Sequence, residues 1–247
     1  MGATVTLCIP AAGPPTWALL ESLLRLHLPD GGCEFRRVGG DDGMAIDIAR
    51  NRLVHEFLIE NQAEWLWFVD RDAKLHPDTL LRLLSWNQPV VGALAFTRHW
   101  PVAPIVYAGE HHKDEQGRAW YKIQVAETRE WLRTHPDLWT SEPVVLEPRP
   151  DDALRQVDFT GAHCLLIQRR VLEAIEYPWF QLDPDTVLQN HRQVAGTGCD
   201  RFFCERVRAA GFPIYVDRSV VAGHQYGERS LGALDFLAWD KITDWKE

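Results

Sequence analysis

Apolar residues along this chain alternate between short, nearly continuous runs and longer stretches with apolar positions at helical spacing. The first run, Thr4 to Ile9, reads as a strand closed by Pro10 and the small-residue loop AAGPP. A helix fits Thr16 to His27, with Leu19, Leu20, Leu23 and Leu24 on its apolar side. A second helix is predicted from Met44 to Glu60, where Ile46, Ala49, Leu53, Val54, Phe57 and Leu58 recur at helical intervals and leave Arg50 and Asn51 off the core face. Glu64 to Val69 suits a central strand covered on both faces. Pro77 fits the first position of a helix carrying Leu80, Leu81, Leu83 and Leu84, and Val90 to Phe96 returns as a strand.

The middle of the chain is less regular. Ile105 to Tyr107 and Ala119 to Val125 flank the turn-like DEQG and predict a hairpin, and Thr128 to Pro150 reads as a loop-rich insertion with one short helix. DFTGAHCLLIQRRVLEAI then reads as a strand feeding a helix. CDRFFCERVRAAGF gives a helix with Phe203, Val207 and Ala210 on one side and Gly211 as its stop, and PIYVDRSVVAGH is a last strand ending near His224. The alternation predicts an α/β domain with a mostly parallel central sheet flanked by helices and a small antiparallel element.

One strand end carries candidate chemistry. EWLWFVDRDAKLHPDTL runs from apolar residues into Asp70 and Asp72, separated by Arg71. If the extended geometry persists through Arg71, both carboxylates face one point, since side chains alternate along a strand. Ligands of open parallel sheets sit beyond the carboxyl ends of the strands. Two close carboxylates repel unless a proton or cation separates them, and a hard divalent cation, Mg2+ or Mn2+, brings a diphosphate as its preferred partner. An aspartate after a strand is more often a turn former or a helix cap, so the triplet alone is weak. LDPDT spaces Asp183 and Asp185 alike but reads as a capped turn, and Asp41 and Asp42 in GGDDG sit in a glycine-flanked loop.

Composition narrows the field. At 247 residues, 46% hydrophobic and 25% charged, the chain fits one globular domain rather than a disordered or fibrous segment. Its 35 acids against 26 bases give a net charge of −9, which opposes sequence-independent binding to nucleic acid or anionic membrane. The five cysteines lack CxxC spacing and read as reduced thiols of a cytoplasmic protein. No run approaches the roughly 18 to 20 apolar residues of a transmembrane segment.

Several blocks, in order, resemble the GT-A-fold glycosyltransferases, in particular the inverting family two and its short bacterial and phage-type single-domain members. TVTLCIPAAGP is similar to the first strand and nucleotide loop, ARNRLVHEFL to the helix preceding the metal motif, and WLWFVDRDAKLHPDTL to the Asp-x-Asp segment. DFTGAHCLLIQRRVLEAI, YPWFQ, GCDRFFCERVRAAGFPIYVD and the final GH complete the likeness. The resemblance implies one GT-A (Rossmann-like) domain over residues 1–247, with a nucleotide-binding half at 1–98, an acceptor and catalytic half at 156–226 and a variable insertion at 100–155.

It also implies roles. Asp70 and Asp72 with His224 would form the metal site for Mn2+ or Mg2+. Pro10, Ala11, Arg50 and Asn51, together with Asp70, would line the nucleotide pocket of a nucleotide-sugar donor, of UDP type first. Asp200 would be the general base, although Cys199 stands where the family carries a first acid. Gly161, Ala162, His163 and Trp179 would line the pocket where donor and acceptor meet. Each has a plainer reading as well: Asp200 as a helix cap, His163 and Trp179 as core, Arg50 as a solvated charge. The implied reaction is sugar transfer to an acceptor hydroxyl with inversion. The acceptor stays open among a small molecule, a glycan, a protein side chain and a modified nucleobase. The competing readings are a HAD-like phosphatase or phosphotransferase using Asp70 as nucleophile, a nucleotidyltransferase, whose glycine-rich basic signature AAGPPTW lacks, and a non-catalytic nucleotide-sugar-binding protein.

Overall fold

A computed structural model describes residues 2–10, 13–38, 44–98, 102–113, 119–182, 188–189, 192–193 and 198–240. The strands in chain order are β1 (Val5–Pro10), β2 (Cys33–Val38), β3 (Trp65–Val69), β4 (Ala73–Lys74), β5 (Val90–Leu94), β6 (Val106–Lys113), β7 (Ala119–Ile123) and β8 (Val144–Val145). They continue as β9 (Leu154–Val157), β10 (Phe159–Thr160), β11 (Cys164–Gln168), β12 (Leu188–Gln189), β13 (Arg192–Gln193), β14 (Ile214–Val221), β15 (Gly223–Tyr226) and β16 (Arg229–Leu231). The helices are α1 (Trp17–Arg25), α2 (Ile46–Glu60), α3 (Thr79–Ser85), α4 (Val125–Thr134), α5 (Arg169–Glu173), α6 (Cys199–Ala209) and α7 (Ala233–Asp240).

The central eight-stranded sheet has the order β2-β1-β3-β11-β5-β14-β8, with β9 also paired to β14. β2, β1 and β3 pair in parallel, as do β5 and β14, and β11 runs antiparallel between β3 and β5. Strands β2, β1, β3, β5 and β14 therefore point one way, and their carboxyl ends share one edge. This is the α/β class that the alternation of elements predicts. Smaller antiparallel sheets join β10, β6 and β7, and β4, β15 and β16.

β3 shows why the sheet is central. All five of its residues are buried, and they alternate between two cores: Leu66 and Phe68 pack with Phe57, Phe180 and Phe203 on one face, Trp65, Trp67 and Val69 with Leu7, Leu80 and Leu83 on the other. The period of two in a strand forces that division, and each such side chain contributes about 1.5–3 kcal/mol on burial. α2 and α6 cover the first face, α1 and α3 the second. Helix ends follow local chemistry. Thr16 Oγ1 accepts from the Leu19 N–H at 3.3 Å to start α1, and Gly211, at φ +83°, closes α6.

The structure departs from the sequence reading at several places. β2 was not anticipated, because CEFRRV is an edge strand with exposed Glu34 and Phe35 and no apolar alternation to mark it. β6 runs on to Lys113, well past the predicted strand, and α4 begins at Val125, where a strand was expected to end. The last strand stops at Val221, and the chain turns into β15, which carries His224. Arg50 and Asn51, expected off the core face of α2, are buried at 3% and 8% exposure, where the Arg50 Nη1 and Nη2 groups and the Asn51 amide find the partners described below. All five cysteines are free thiols. Among the described residues no helix is long and apolar enough to cross a membrane.

Candidate functional site

The extended geometry does not persist past β3. The Ala73 N–H donates to the Asp70 carbonyl at 3.0 Å, so Asp70 to Ala73 form a turn at the carboxyl edge of the sheet. Two strand pairings then deliver a histidine to each acid. β11 lies antiparallel to β3 with Cys164 opposite Val69, and the Asp70 N–H donates to the His163 carbonyl at 2.9 Å. β15 pairs with β4, placing His224 opposite Ala73, and the Gln225 N–H donates to the Asp72 carbonyl at 2.8 Å.

The two imidazoles stack with centroids 4.2 Å apart. His224 Nδ1 meets the Phe96 carbonyl at 3.0 Å and His163 Nε2 the Gly223 carbonyl at 3.0 Å. A carbonyl only accepts, so these contacts assign the ring protons to His224 Nδ1 and His163 Nε2. The opposite nitrogens are left to the acids: His224 Nε2 lies 3.4 Å from Asp72 Oδ2, and His163 Nδ1 lies 3.6 Å from Asp70 Oδ2. His163 Nδ1 is buried and has no hydrogen-bond partner. One ligand atom each from Asp72, His163 and His224 lies within 4.8 Å of the others. An orphaned imidazole nitrogen, a second imidazole oriented by a carbonyl and a carboxylate form a donor set that fits a divalent cation. Two nitrogen donors favour Mn2+ over Mg2+, which prefers oxygen. Asp70 stands beside this trio rather than in it.

In the metal-free protein, the acids and His163 favour each other's charged forms. Burial pushes the Asp72 carboxyl up, but the His224 contact and the charges of His163 and Arg98 outweigh it and hold the group well below the usual carboxylate range. Asp70 is likewise pushed up by burial and held lower by Arg50 and then His163. Burial would depress His163, and Asp70 raises it instead.

Arg50 links this corner to α6. From its buried position on α2 it donates through Nη2 to Asp70 Oδ1 at 3.2 Å and through Nη1 to Asp200 Oδ1. Nη1 also lies 3.0 Å from Cys199 Sγ. Burial alone would lower the guanidinium's pKa, and Asp200 and Asp70 raise it. Asp200 sits in the first turn of α6, where the helix dipole favours a carboxylate, and its Oδ2 accepts from the Ala162 N–H at 3.2 Å. Burial pushes the Cys199 thiol up to about 12, so a neutral group replaces the first acid of the resembled motif. A Cβ on Gly161 would lie 3.0 Å from Ile105 Cγ2 and 3.6 Å from Asp200 Oδ2, so this glycine keeps the approach to Asp200 open.

The structure thus brings Asp70, Asp72, Arg50, Gly161, Ala162, His163, Asp200 and His224 together. Asn51 and Trp179 lie behind them. The Asn51 amide accepts from the Trp179 and Phe180 N–H groups at 3.0 Å each and donates to the Phe180 carbonyl at 2.6 Å, which turns its oxygen and one N–H to the backbone. Trp179 is buried and donates to the Leu172 carbonyl at 3.0 Å. Pro10 ends β1 at the same sheet edge, and Ala11, Asp41, Asp42, Asp183 and Asp185 lie outside the described residues.

Sequence reasoning missed Arg98 and Tyr107 and placed His163 elsewhere in the site. His163 was taken for the donor and acceptor pocket and joins the trio. Arg98 donates through Nη1 to Asp72 Oδ2 at 2.7 Å, with nothing in FTRHW to signal it. The phenol of Tyr107 is raised by burial and then by the charge of Asp200, so it lies within that carboxylate's field.

No protein-family model matches the chain, and no curated protein matches it in sequence. Among solved structures, A197 from STIV superposes with a TM-score of 0.54 at 17% identity, covering 94% of this chain and 90% of that one. GalNAc-T7, solved with UDP, GalNAc and Mn2+, gives a TM-score of 0.47 at 10% identity, and the match covers 99% of this chain but 48% of that protein. The chain therefore shares the α/β fold of A197.

Proposed function

We propose that this protein is a glycosyltransferase that moves a sugar from a nucleotide-sugar donor, of UDP type, to an acceptor hydroxyl with inversion, using a divalent cation with Mn2+ ahead of Mg2+. The observation that carries the reading is the convergence of Asp72, His163 and His224 at the carboxyl edge of the sheet, tied through Asp70 and Arg50 to Asp200. Asp72, His163 and His224 would hold the cation. When bound, it supplies positive charge to the donor's diphosphate as the glycosyl bond breaks.

The chain's own groups do the rest. Asp200 takes the acceptor proton. Its Oδ1 is fixed by Arg50 and its Oδ2 by the Ala162 N–H, and a carboxylate has about four lone-pair sites, so one remains on Oδ2 for the incoming hydroxyl. Arg50 holds that carboxylate in place relative to Asp70, which makes the separation of base and metal corner a property of one rigid side chain. Gly161 leaves room for the acceptor, while Asn51 and Trp179 form the wall behind. Pro10, at the end of β1, borders the nucleotide.

A panel of UDP- and GDP-sugars, each with and without Mn2+, tests the reading. The expected result is metal-dependent thermal stabilisation by one donor class with slow release of its sugar, and an Asp200→Asn variant that keeps donor binding but loses most turnover. Phosphate release from simple phosphomonoesters, with no response to any nucleotide sugar, would overturn it in favour of the phosphatase reading. Tight donor binding without hydrolysis or transfer would select the non-catalytic one.

A further inference from the structure

Arg98 and His224 meet on the same atom. Asp72 Oδ2 receives the Arg98 Nη1 at 2.7 Å and faces His224 Nε2 at 3.4 Å. Asp72 is buried, and this oxygen is the one nearest the imidazole nitrogen available for a metal. The Arg98 side chain is 58% exposed, against 4% for Arg50. One guanidinium is locked inside the wall, whereas the other reaches in from solvent and can leave without being desolvated again.

The segment bearing Arg98 is anchored at its base. The Thr97 N–H donates to the Ala103 carbonyl at 2.9 Å, the Ala103 N–H to Thr97 Oγ1 at 3.1 Å, and the Ile105 N–H to the Ala95 carbonyl at 2.8 Å. Two residues before Arg98, the Phe96 carbonyl orients His224. A short stretch of backbone at the end of β5 therefore orients one candidate metal ligand and covers another, and its anchoring keeps Arg98 within reach of the site wherever its side chain turns.

We infer that Arg98 is a specificity-determining residue that neutralises Asp72 until a divalent cation takes the carboxylate, and then turns outward to bind the donor's diphosphate. This rests on the reading of the site given above. The physical reason is that a cation and a guanidinium on one carboxylate oxygen repel at close range, and the exposed partner is the one free to move. A planar guanidinium suits a diphosphate, whose oxygens it can engage in pairs. Arg98 opposes binding of the metal alone and favours binding of the metal with its diphosphate, so the site selects the loaded donor over the free ion.

Calorimetry on wild type, Arg98→Ala and Asp72→Asn, first with Mn2+ alone and then with UDP or GDP at saturating Mn2+, tests this. Wild type is expected to bind Mn2+, and Asp72→Asn to lose it. Arg98→Ala is expected to bind Mn2+ alone about tenfold more tightly and the nucleoside diphosphate about tenfold more weakly, the size of one charge-assisted hydrogen bond. Unchanged or weakened Mn2+ binding by Arg98→Ala, or undiminished diphosphate binding, would overturn the role of Arg98 while leaving the metal site intact. Absence of Mn2+ binding by the wild type would remove the metal site and this inference together. Circular dichroism of each variant separates these results from misfolding.

Discussion

The guanidinium of Arg50 bridges two carboxylates from distant parts of the chain, Asp70 at the end of β3 and Asp200 at the start of α6, with a side chain only 4% exposed. Removing it strands both acids against a buried wall. Arg50→Ala is expected to destabilise the fold by about 3 kcal/mol, the low end for breaking a buried pair because each acid keeps some solvent contact. Urea denaturation checks this. Arg50→Ala with Asp200→Asn should recover part of the loss, and full recovery by Arg50→Lys would show that bridging geometry is not needed.

His163→Ala and His224→Ala each remove one nitrogen of the three-residue cluster. Each is expected to weaken Mn2+ binding by about 10- to 100-fold, comparable to losing a close supporting group of a metal site. Titration of Mn2+ followed by its electron paramagnetic resonance signal measures the free ion directly. An unaltered affinity in His163→Ala would exclude that residue as a ligand.

Asn51→Ala leaves two backbone N–H groups and one carbonyl without the partner they now have. A loss of about 1–3 kcal/mol in stability is expected, with little change in Mn2+ affinity. Comparing thermal unfolding with metal titration separates this supporting role from a ligand role, for which the metal-loaded donor's affinity would fall more than stability.

Acid should destabilise the metal-free protein through Asp70 and Asp72. Both carboxyls are held below the ordinary aspartate value of about 3.9, so their folded-state preference for the ionised form adds stability above that pH and loses it as pH falls through the lower folded values. In chelator, the unfolding free energy should drop steeply below about pH 4, by about 1.4 kcal/mol for each pH unit per group that titrates. Asp72→Asn should flatten that drop. An equally steep acid limb in the variant would assign the effect to other carboxylates.

The local pattern made much of the fold legible. The apolar run ending at Val69, the leucines of α1 and α3 and Gly211 after α6 each announce their element through neighbours a few residues away. β2 was silent because CEFRRV, at the sheet edge, has no apolar alternation to mark it. Asp70 and Asp72 were conspicuous for the same local reason, standing where a buried strand ends. The reasoning that joined them, continued extension through Arg71, failed, because the chain turns there and the acids meet through two histidines instead.

What sequence alone determined is the α/β class, the main apolar strands and amphipathic helices around them, and the strand end that carries the two acids. Tertiary structure decided which side chains meet: that Arg50 faces inward, that His163 stacks on His224, and that Arg98 reaches Asp72. The reason is physical. Periodicity reports forces between near neighbours, whereas stacking and ion pairing depend on strand register and on which buried polar groups find partners, and those are settled only when remote segments pack.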